Sequence, residues 1–560
     1  MGQEFYFEER QGLALLAGDD FAVVETADGA TRYLVANSRR VQAEIYAPEV
    51  NFYIDNTKDP EAVKVDNLRR LYRARATAYD LSQQTGQTVV VGTELILIDP
   101  SGQGGLVDEL GRHGLTVTAL APDQVVGVRG SLGRFEVRVR QAGGATVLSA
   151  DQVLWHDGPA AFTRRRGVHD PAVLTEQAVL AAVEAEIGVV TYSTQLGFTP
   201  SLCQYHQRRV PVCGHCAAIC PTGAIQRVDN ARELDIAGVD CTGCGRCVGV
   251  CPTGALEYRP LPKAAFLRMA ELYRGRSALL FADGPALEGL RVDLAERILP
   301  FFCECIDLLD ESYLLSLLQV TSCPVILWAE TIAPVTRDAV ALLNEIFQRK
   351  FGRDALLVCT DAANLAGLAD DPEPLTPFTE LAYDLDERSL AKRDIVVRRL
   401  DRLLADDELG RVTTGPGLSY GLARIDRQRC TLCLSCTDAC SMGALLARAE
   451  DNSLRHIAGL CTGCGSCQET CPEKGCITVE RGYLDLAPGS FAERVVATDE
   501  LFRCVECGVG FAPARAVNRI IAAISPLFAD DPARLRSLSC CPDCKARVML
   551  ASLDSDKNFL

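Results

Sequence analysis

The sequence predicts a multidomain protein in which α/β and α+β segments alternate with two short cysteine-rich modules. The chain has 560 residues, which is more than one hydrophobic core usually organises. Strand-like and helix-like segments alternate across 86–165 and 261–375, as is typical of α/β domains. Most of the 26 cysteines fall within 195–260 and 415–486. Their repeated spacing indicates one kind of small module that occurs twice.

The composition predicts a soluble and acidic protein. Hydrophobic residues make up 48% of the chain and charged residues 23%, which is ordinary for a folded protein. The formal charge of −17 disfavours nucleic acid and anionic lipid as partners. Residues 1–6 lack the basic start of a signal peptide, and the apolar stretch at 320–335 is interrupted by Pro324 and Glu330. We therefore expect a cytoplasmic chain without a membrane span, whose cysteines bind metal rather than form disulfides.

The first part of the chain divides into two predicted regions. Residues 1–85 combine short strands with a helical stretch at 60–81 and contain no cysteine, so we expect an α+β region there. Residues 86–165 show a strand–loop–helix pattern that predicts a Rossmann-like α/β domain. The glycine runs at Gly92 and Gly102 both fail the G-x-G-x-x-G fingerprint that lets a backbone approach a pyrophosphate. No motif here therefore predicts a bound nucleotide or flavin.

The rest of the chain is predicted to contain five further parts, divided by cysteine content and by linker composition. In chain order they are a first cysteine-rich module at 195–260, a small parallel α/β domain at 261–375, a helical linker at 376–414, a second cysteine-rich module at 415–486 and a ribbon-like segment at 487–560.

Three complete C-x2-C-x2-C-x3-C runs define the chemistry of the modules. They begin at Cys241, Cys430 and Cys461. A 4Fe-4S cluster needs four thiolates, and C-x2-C-x2-C supplies three of them from one loop. In two-cluster proteins the fourth cysteine of each run binds the neighbouring cluster. Structural zinc is the alternative for C-x2-C pairs, but triple-cysteine runs favour iron–sulfur clusters.

This exchange rule assigns sixteen cysteines to four predicted cluster sites, each named here by one of its members. The Cys436 site comprises Cys430, Cys433, Cys436 and Cys471; the Cys464 site comprises Cys440, Cys461, Cys464 and Cys467; the Cys244 site comprises Cys220, Cys241, Cys244 and Cys247; the Cys213 site comprises Cys203, Cys213, Cys216 and Cys251.

The fourth ligand of the Cys213 site is the uncertain member of this set. The spacing places it at Val210, which has no ligand atom. We favour Cys203, which lies just upstream and is separated from Cys213 by a short loop. The alternatives are a 3Fe-4S cluster with an open corner, or ligation by His206 or His215, since imidazole replaces thiolate in some clusters.

Five cysteines outside these sites are expected to be buried small thiols rather than ligands. They are Cys303, Cys305, Cys323, Cys359 and Cys476.

The end of the chain carries two facing cysteine pairs. Cys504 and Cys507 form the first pair, and Cys541 and Cys544 form the second. Each pair resembles the knuckle of a zinc ribbon or a rubredoxin, so we expect one closed tetrahedral site. Zinc is the favoured ion, and rubredoxin-type iron is the alternative with the same four ligands.

Through these cysteine runs, residues 195–260 and 415–486 resemble the bacterial two-cluster ferredoxin family. That resemblance implies a compact pseudo-symmetric fold and one-electron transfer. The segments Gly130-Ser-Leu-Gly-Arg-Phe-Glu-Val-Arg-Val and Ala150-Asp-Gln-Val-Leu-Trp look like the heterodisulfide reductase component that also carries ferredoxin modules, although the flavin fingerprint of that family is missing. Leu299-Pro-Phe-Phe-Cys-Glu-Cys is similar to the small iron–sulfur subunit of methyl-viologen-type hydrogenases. The whole arrangement resembles large ferredoxin proteins found with proteobacterial formate dehydrogenases.

We therefore expect a non-catalytic subunit of an oxidoreductase complex. It would relay single electrons between a dehydrogenase, which could be a formate dehydrogenase, and a second electron carrier. A flavin-dependent oxidoreductase of heterodisulfide-reductase type and an assembly or scaffold factor are the two alternatives. The sequence shows no catalytic constellation that would favour an enzyme.

Overall fold

The structure is a computed structural model, and it describes residues 7–8, 21–25, 32–37, 39, 42–100, 104–141, 144–282, 287, 290–361, 364–365 and 381–556. The described chain forms two compact units, Met1–Leu390 and Ala391–Leu560. The predicted helical linker at 376–414 spans the boundary between them, and its first residues lie outside the described ranges. Among the described residues, no helix combines the length and the apolar character needed to cross a membrane.

The amino-terminal region pairs a small sheet with two helices. Its strands are Phe7–Glu8, Phe21–Glu25, Arg32–Ala36 and Ile45–Tyr46, and its helices are Pro48–Asn56 and Glu61–Asp80. The second helix agrees with the helical stretch predicted at 60–81. It carries Arg75, which forms a buried ion pair with Glu49 at 3.0 Å.

The next region is built on a four-stranded sheet in which every pairing is parallel. Its strands, in spatial order, are Val168–His169, Gln152–Trp155, Glu94–Ile98 and Thr116–Leu120. An antiparallel sheet of Val125–Arg129, Phe135–Gln141 and Gly144–Ala150 packs on one face, and the helices Gly104–Arg112 and Glu176–Glu184 pack on the other. The parallel sheet includes a strand past residue 165, where the domain was expected to end. The Rossmann-like assignment stays a prediction, and Gly102 lies outside the described residues.

A second parallel sheet follows the first cysteine-rich module. Its strands, in spatial order, are Ile298–Phe302, Ser277–Phe281, Val325–Trp328 and Leu356–Cys359, and its helices are Lys263–Glu271, Glu311–Thr321 and Pro334–Phe351. The helix Glu311–Thr321 is buried along its whole length. Asp310 caps this helix by accepting hydrogen bonds from the backbone amides of Ser312 and Tyr313. This sheet positions Cys303 directly after the carboxyl end of an edge strand, where parallel sheets usually place functional groups.

The two cysteine-rich modules share one architecture. In each module two short helices follow the cysteine loops, a hairpin joins the halves, and an outer antiparallel pair closes the fold. The helices are His215–Ile219 and Arg246–Val250 in the first module and Ser435–Ala439 and Ser466–Thr470 in the second; the hairpins are Ile225–Val228 with Glu233–Ile236 and Leu445–Arg448 with Ser453–His456; the outer pairs are Leu196–Phe198 with Leu256–Tyr258 and Gly421–Ile425 with Ile477–Arg481.

The described part of the second unit contains further elements around the module, and the strand Arg494–Thr498 pairs with Ser453–His456. The helix Lys392–Leu404 precedes the second module, and the strand Arg411–Thr413 pairs with Tyr483–Asp485. The carboxyl-terminal segment has the hairpin Leu501–Arg503 with Gly510–Pro513 and the helices Ala514–Ile524, Pro532–Ser537 and Pro542–Asp556.

Candidate iron–sulfur and metal centres

The cysteine loops have the same local geometry in both modules. In every short helix the second residue is a cysteine, and another cysteine directly follows the last helical residue. These pairs are Cys216 with Cys220, Cys247 with Cys251, Cys436 with Cys440 and Cys467 with Cys471. Each helix therefore directs one thiol to its own loop and the other towards the neighbouring site.

In the second module the structure brings together the thiols of both predicted sites. Burial raises the pKa of the Cys436 thiol to about 12, and the neighbouring Cys430, Cys433 and Cys471 thiols add to this rise. Burial also raises the pKa of the Cys467 thiol to about 12, with further contributions from the thiols of its own site, Cys461, Cys464 and Cys440, and from Cys436. The two sites are therefore adjacent, since Cys436 of one site contributes to the raised pKa of Cys467 in the other.

The first module groups its thiols in the same way. Burial raises the pKa of Cys247 well above its usual value, and Cys241, Cys244 and Cys220 of the same site contribute to the rise. Cys216 of the Cys213 site also contributes. The Cys244 site and the Cys213 site are therefore adjacent, as the corresponding sites are in the second module.

Cys203 lies with the Cys213 site. Burial raises the pKa of Cys216 to about 12, and the thiols of Cys251, Cys213 and Cys203 each add to the rise. The Cys203 sulfur accepts hydrogen bonds from the backbone amides of Tyr205 and His206, each at 3.4 Å. Amide donors of this kind stabilise a thiolate. The Cys203 sulfur is therefore both near the other three thiols and supported as an acceptor.

The two alternative histidines have different surroundings. The His206 Nδ1 atom accepts a hydrogen bond from the backbone amide of Leu234 at 3.4 Å, and its ring packs edge-to-face on Phe198. His215 is exposed. Cys203, in contrast, is buried.

Cys476 lies at the Cys436 site. The sequence predicts the site but not the presence of this fifth cysteine. It was expected to be a buried small thiol, and it is buried. However, its thiol packs in one buried cluster with Cys430, Cys436 and Cys471, and burial raises its pKa to about 12 with contributions from Cys430 and Cys471, two predicted ligands of that site. The Cys436 site therefore has five thiols within one cluster of side chains. In the sequence, the one signal for the position of Cys476 at this site is that it lies only five residues after Cys471.

Cys303 and Cys305 were also expected to be ordinary core thiols, and they too lie beside a predicted cluster site. The Cys305 thiol donates a hydrogen bond to the backbone carbonyl of Cys244 at 2.8 Å. The neighbouring Tyr258 phenol has a raised pKa, chiefly from burial and further from Glu304, Cys305, Cys303 and Cys241. No local sequence pattern could reveal this contact, because it joins two separate domains of the first unit.

The four cysteines of the carboxyl-terminal segment converge on one point. The Sγ atoms of Cys504, Cys507, Cys541 and Cys544 all lie within 4.8 Å of one another, and Cys507 and Cys541 are 3.7 Å apart. Zinc–sulfur bonds of about 2.3 Å in a tetrahedron require sulfur atoms ~3.8 Å apart. Burial alone would raise the pKa of Cys504, but the backbone amides of Cys541, Cys507 and Glu506 outweigh it and lower that pKa to about 6. The donor set therefore fits a single tetrahedral ion.

Comparison with known protein families supports the assignment of both modules. Residues 211–255 match a family described as a 4Fe-4S dicluster domain, and residues 422–472 match a second family with the same description. No curated protein matches the chain. The chain is therefore a multi-cluster 4Fe-4S protein with two ferredoxin-type dicluster domains, and these domains point to iron–sulfur electron transfer as its class of function.

Proposed function

We propose that the chain is an electron-transfer subunit that relays single electrons through four 4Fe-4S clusters between a dehydrogenase-type partner and a second redox carrier. The adjacency of two four-thiol sites within each module is the observation that carries this proposal. When bound, each cluster accepts and releases one electron. The protein contributes four thiols per site, burial and amide donors, which together set the reduction potentials.

The sixteen ligands in this proposal are those assigned from the sequence, with Cys203 as the fourth ligand of the Cys213 site. Two amide hydrogen bonds to its sulfur and its closeness to Cys213, Cys216 and Cys251 support this choice. The carboxyl-terminal segment would hold one zinc ion as a structural or docking ribbon. The dehydrogenase partner would be a formate dehydrogenase, on the strength of the sequence resemblance alone, and an acidic chain would favour a basic docking surface on it.

Metal analysis of anaerobically prepared protein tests the cluster count. We expect about sixteen iron atoms and about one zinc per chain. A count of about twelve iron atoms or fewer would refute the four-cluster proposal.

A pair of variants tests the Cys213 site separately. Cys203→Ser should convert this cluster to a 3Fe-4S centre, detected by electron paramagnetic resonance of the oxidised protein. Cys323→Ser is the matched control, because Cys323 is also buried in the first unit but lies outside the four sites. If Cys203→Ser keeps the iron content and the spectrum of the control, Cys203 is not a ligand.

A further inference from the structure

Two thiols of the small parallel α/β domain at 261–375 lie against a predicted cluster site without belonging to it. Cys303 is fully buried and Cys305 is 8% exposed. The Cys305 thiol donates to the Cys244 carbonyl at 2.8 Å, so it lies directly behind one cluster ligand. A Cβ atom at Gly245 would lie only 2.6 Å from the Cys305 sulfur. The cluster loop and this thiol are therefore packed as closely as the backbone allows.

The surrounding contacts hold the two segments in this arrangement. Arg246 follows Gly245 in the cluster loop and forms an ion pair with Asp307 at 2.8 Å. Asp307 also accepts a hydrogen bond from the Ala333 amide at 2.7 Å. A Cβ atom at Gly249 would lie 2.8 Å from the Asp307 carbonyl oxygen. The Cys303–Cys305 segment is thus fixed to the loop and to the helix that bear the cysteines of the Cys244 site.

The backbone between the two cysteines is bent into a tight turn. The Cys305 amide donates to the Cys303 carbonyl, and Glu304 between them adopts a φ of +48°. Non-glycine residues rarely occupy this region, and such residues concentrate at functional sites. A turn closed over three residues brings the outer Cα atoms within the roughly 4.4–6.8 Å that a disulfide spans. The Cys303 thiol already points towards this turn, since it donates to the Cys305 carbonyl at 3.2 Å.

We propose that Cys303 and Cys305 form a dithiol–disulfide couple that exchanges two electrons with the clusters of the first module. The proposal rests on the proposed function, because those clusters are the electron source. Two reduced clusters would each give one electron, two protons would be taken up, and the Cys303–Cys305 sulfur–sulfur bond would break to give two thiols. In the reverse direction the thiols lose two protons and two electrons as the bond forms.

The surroundings favour such an internal couple over exchange with external thiols. Thiol–disulfide exchange needs access to a sulfur atom, and both sulfurs are buried. A disulfide closed over a single intervening residue is strained, and strain makes the bond easier to reduce. A reduced cluster beside the Cys244 loop would therefore be the internal electron donor to this disulfide. The couple would collect single electrons into a pair.

Differential alkylation tests the proposal on the full-length protein. Trypsin should release residues 298–337 as one peptide, because no lysine or arginine lies between Arg297 and Arg337. The peptide contains Cys303, Cys305 and Cys323. The protein is oxidised with ferricyanide or reduced with dithionite, quenched in acid, unfolded and labelled with a maleimide. We expect one label in the oxidised state, on Cys323, and three labels in the reduced state.

Variants provide the controls. Cys303→Ser and Cys305→Ser should each carry two labels in both states, because neither can form the bond. Cys323→Ser should change from no label to two labels on reduction. A stoichiometric titration should show that Cys303→Ser takes up about two fewer electrons than the wild type or Cys323→Ser, while all clusters stay reducible. Three labels in both states, with equal electron uptake, would overturn the proposal.

The outcome is separable from a failure of the proposed function. A sample with about sixteen iron atoms and three labels in both states refutes the dithiol couple and leaves the electron-transfer proposal standing. A sample with about twelve iron atoms or fewer refutes the four-cluster proposal. In that sample the change from one label to three on reduction still supports the couple, and three labels in both states still refute it.

Discussion

The close packing at Gly245 allows a quantitative test of how the first module contacts the small parallel α/β domain that follows it. We predict that Gly245→Ala destabilises the first unit by about 3 kcal/mol, the centre of a range of about 1–5 kcal/mol. The φ of +67° costs a side chain about 1–2 kcal/mol, partly offset by about 0.4–1 kcal/mol from the less flexible unfolded chain. The added methyl group would lie 2.6 Å from the Cys305 sulfur and 2.9 Å from the Leu308 Cβ, and such overpacking costs about 1–3 kcal/mol.

The control separates backbone cost from steric cost. Gly275 in the same unit also has a positive φ, +71°, but a Cβ atom there would meet no other atom within 4 Å. Gly275→Ala should therefore cost no more than about 1–2 kcal/mol. The position equivalent to Gly245 in the second module is Gly465, with a φ of +89°, and the corresponding position in the other cysteine loop of that module is Leu434, with a φ of +62°. A cysteine loop of this kind therefore accommodates a side chain at this position when no neighbouring segment packs against it.

The assay is denaturant unfolding under anaerobic conditions, followed by the visible absorbance of the clusters. Gly245→Ala should show a lower midpoint than Gly275→Ala, and Gly245→Ala with Cys305→Ala should recover part of the loss. Equal midpoints for the two glycine variants would refute the reasoning, because the contact with Cys305 would then be too loose to matter.

Three further predictions concern other parts of the chain. Because Cys476 packs in the same buried cluster as Cys471 and Cys436, Cys471→Ser should keep about sixteen iron atoms, whereas the double variant with Cys476→Ser should lose iron at that site, as metal analysis would show. Cys541→Ser should remove about one zinc and no iron, whereas Cys540→Ser should keep both, and zinc loss in the second variant would contradict the ligand set. Burial lowers the pKa of His456 from 6.5 to about 4, so the unfolded chain binds this proton first and stability is lost as the pH falls below 6.5. Unfolding at pH 6.5 and 5.5 should show that the wild type loses about 1 kcal/mol more than His456→Leu, and equal losses would show that this histidine titrates normally.

Local spacing made the cluster sites predictable from the sequence. Each C-x2-C-x2-C run places its cysteines in one loop and one helical turn, so that few other arrangements are available to it. The grouping of Cys203 with Cys213 could be anticipated because only a short loop separates them. The position of the metal-ribbon thiols followed from two facing pairs in the same way.

The contacts that the sequence did not reveal depend on packing between distant segments. The sequence predicts that Cys303 and Cys305 are buried core thiols. They reach the Cys244 site only because the end of their strand packs against Gly245. Cys476 follows Cys471 by five residues, and its proximity depends on how the intervening turn folds back. Spacing alone does not determine either approach, because side-chain direction is set by the surrounding fold.

The exposure of Cys433 has a consequence for how electrons enter or leave the second module. Cys433 is exposed, whereas Cys430, Cys436 and Cys471 of the same site are buried, and the adjoining Leu434 is 38% exposed. Electron tunnelling slows steeply with distance, so a partner's cofactor would exchange electrons fastest when it docks over this one thiolate. Leu434 offers that partner an apolar contact within an otherwise acidic chain. In the first module Cys213, the counterpart of Cys433, is only partly exposed, so the two modules present different openings to the outside.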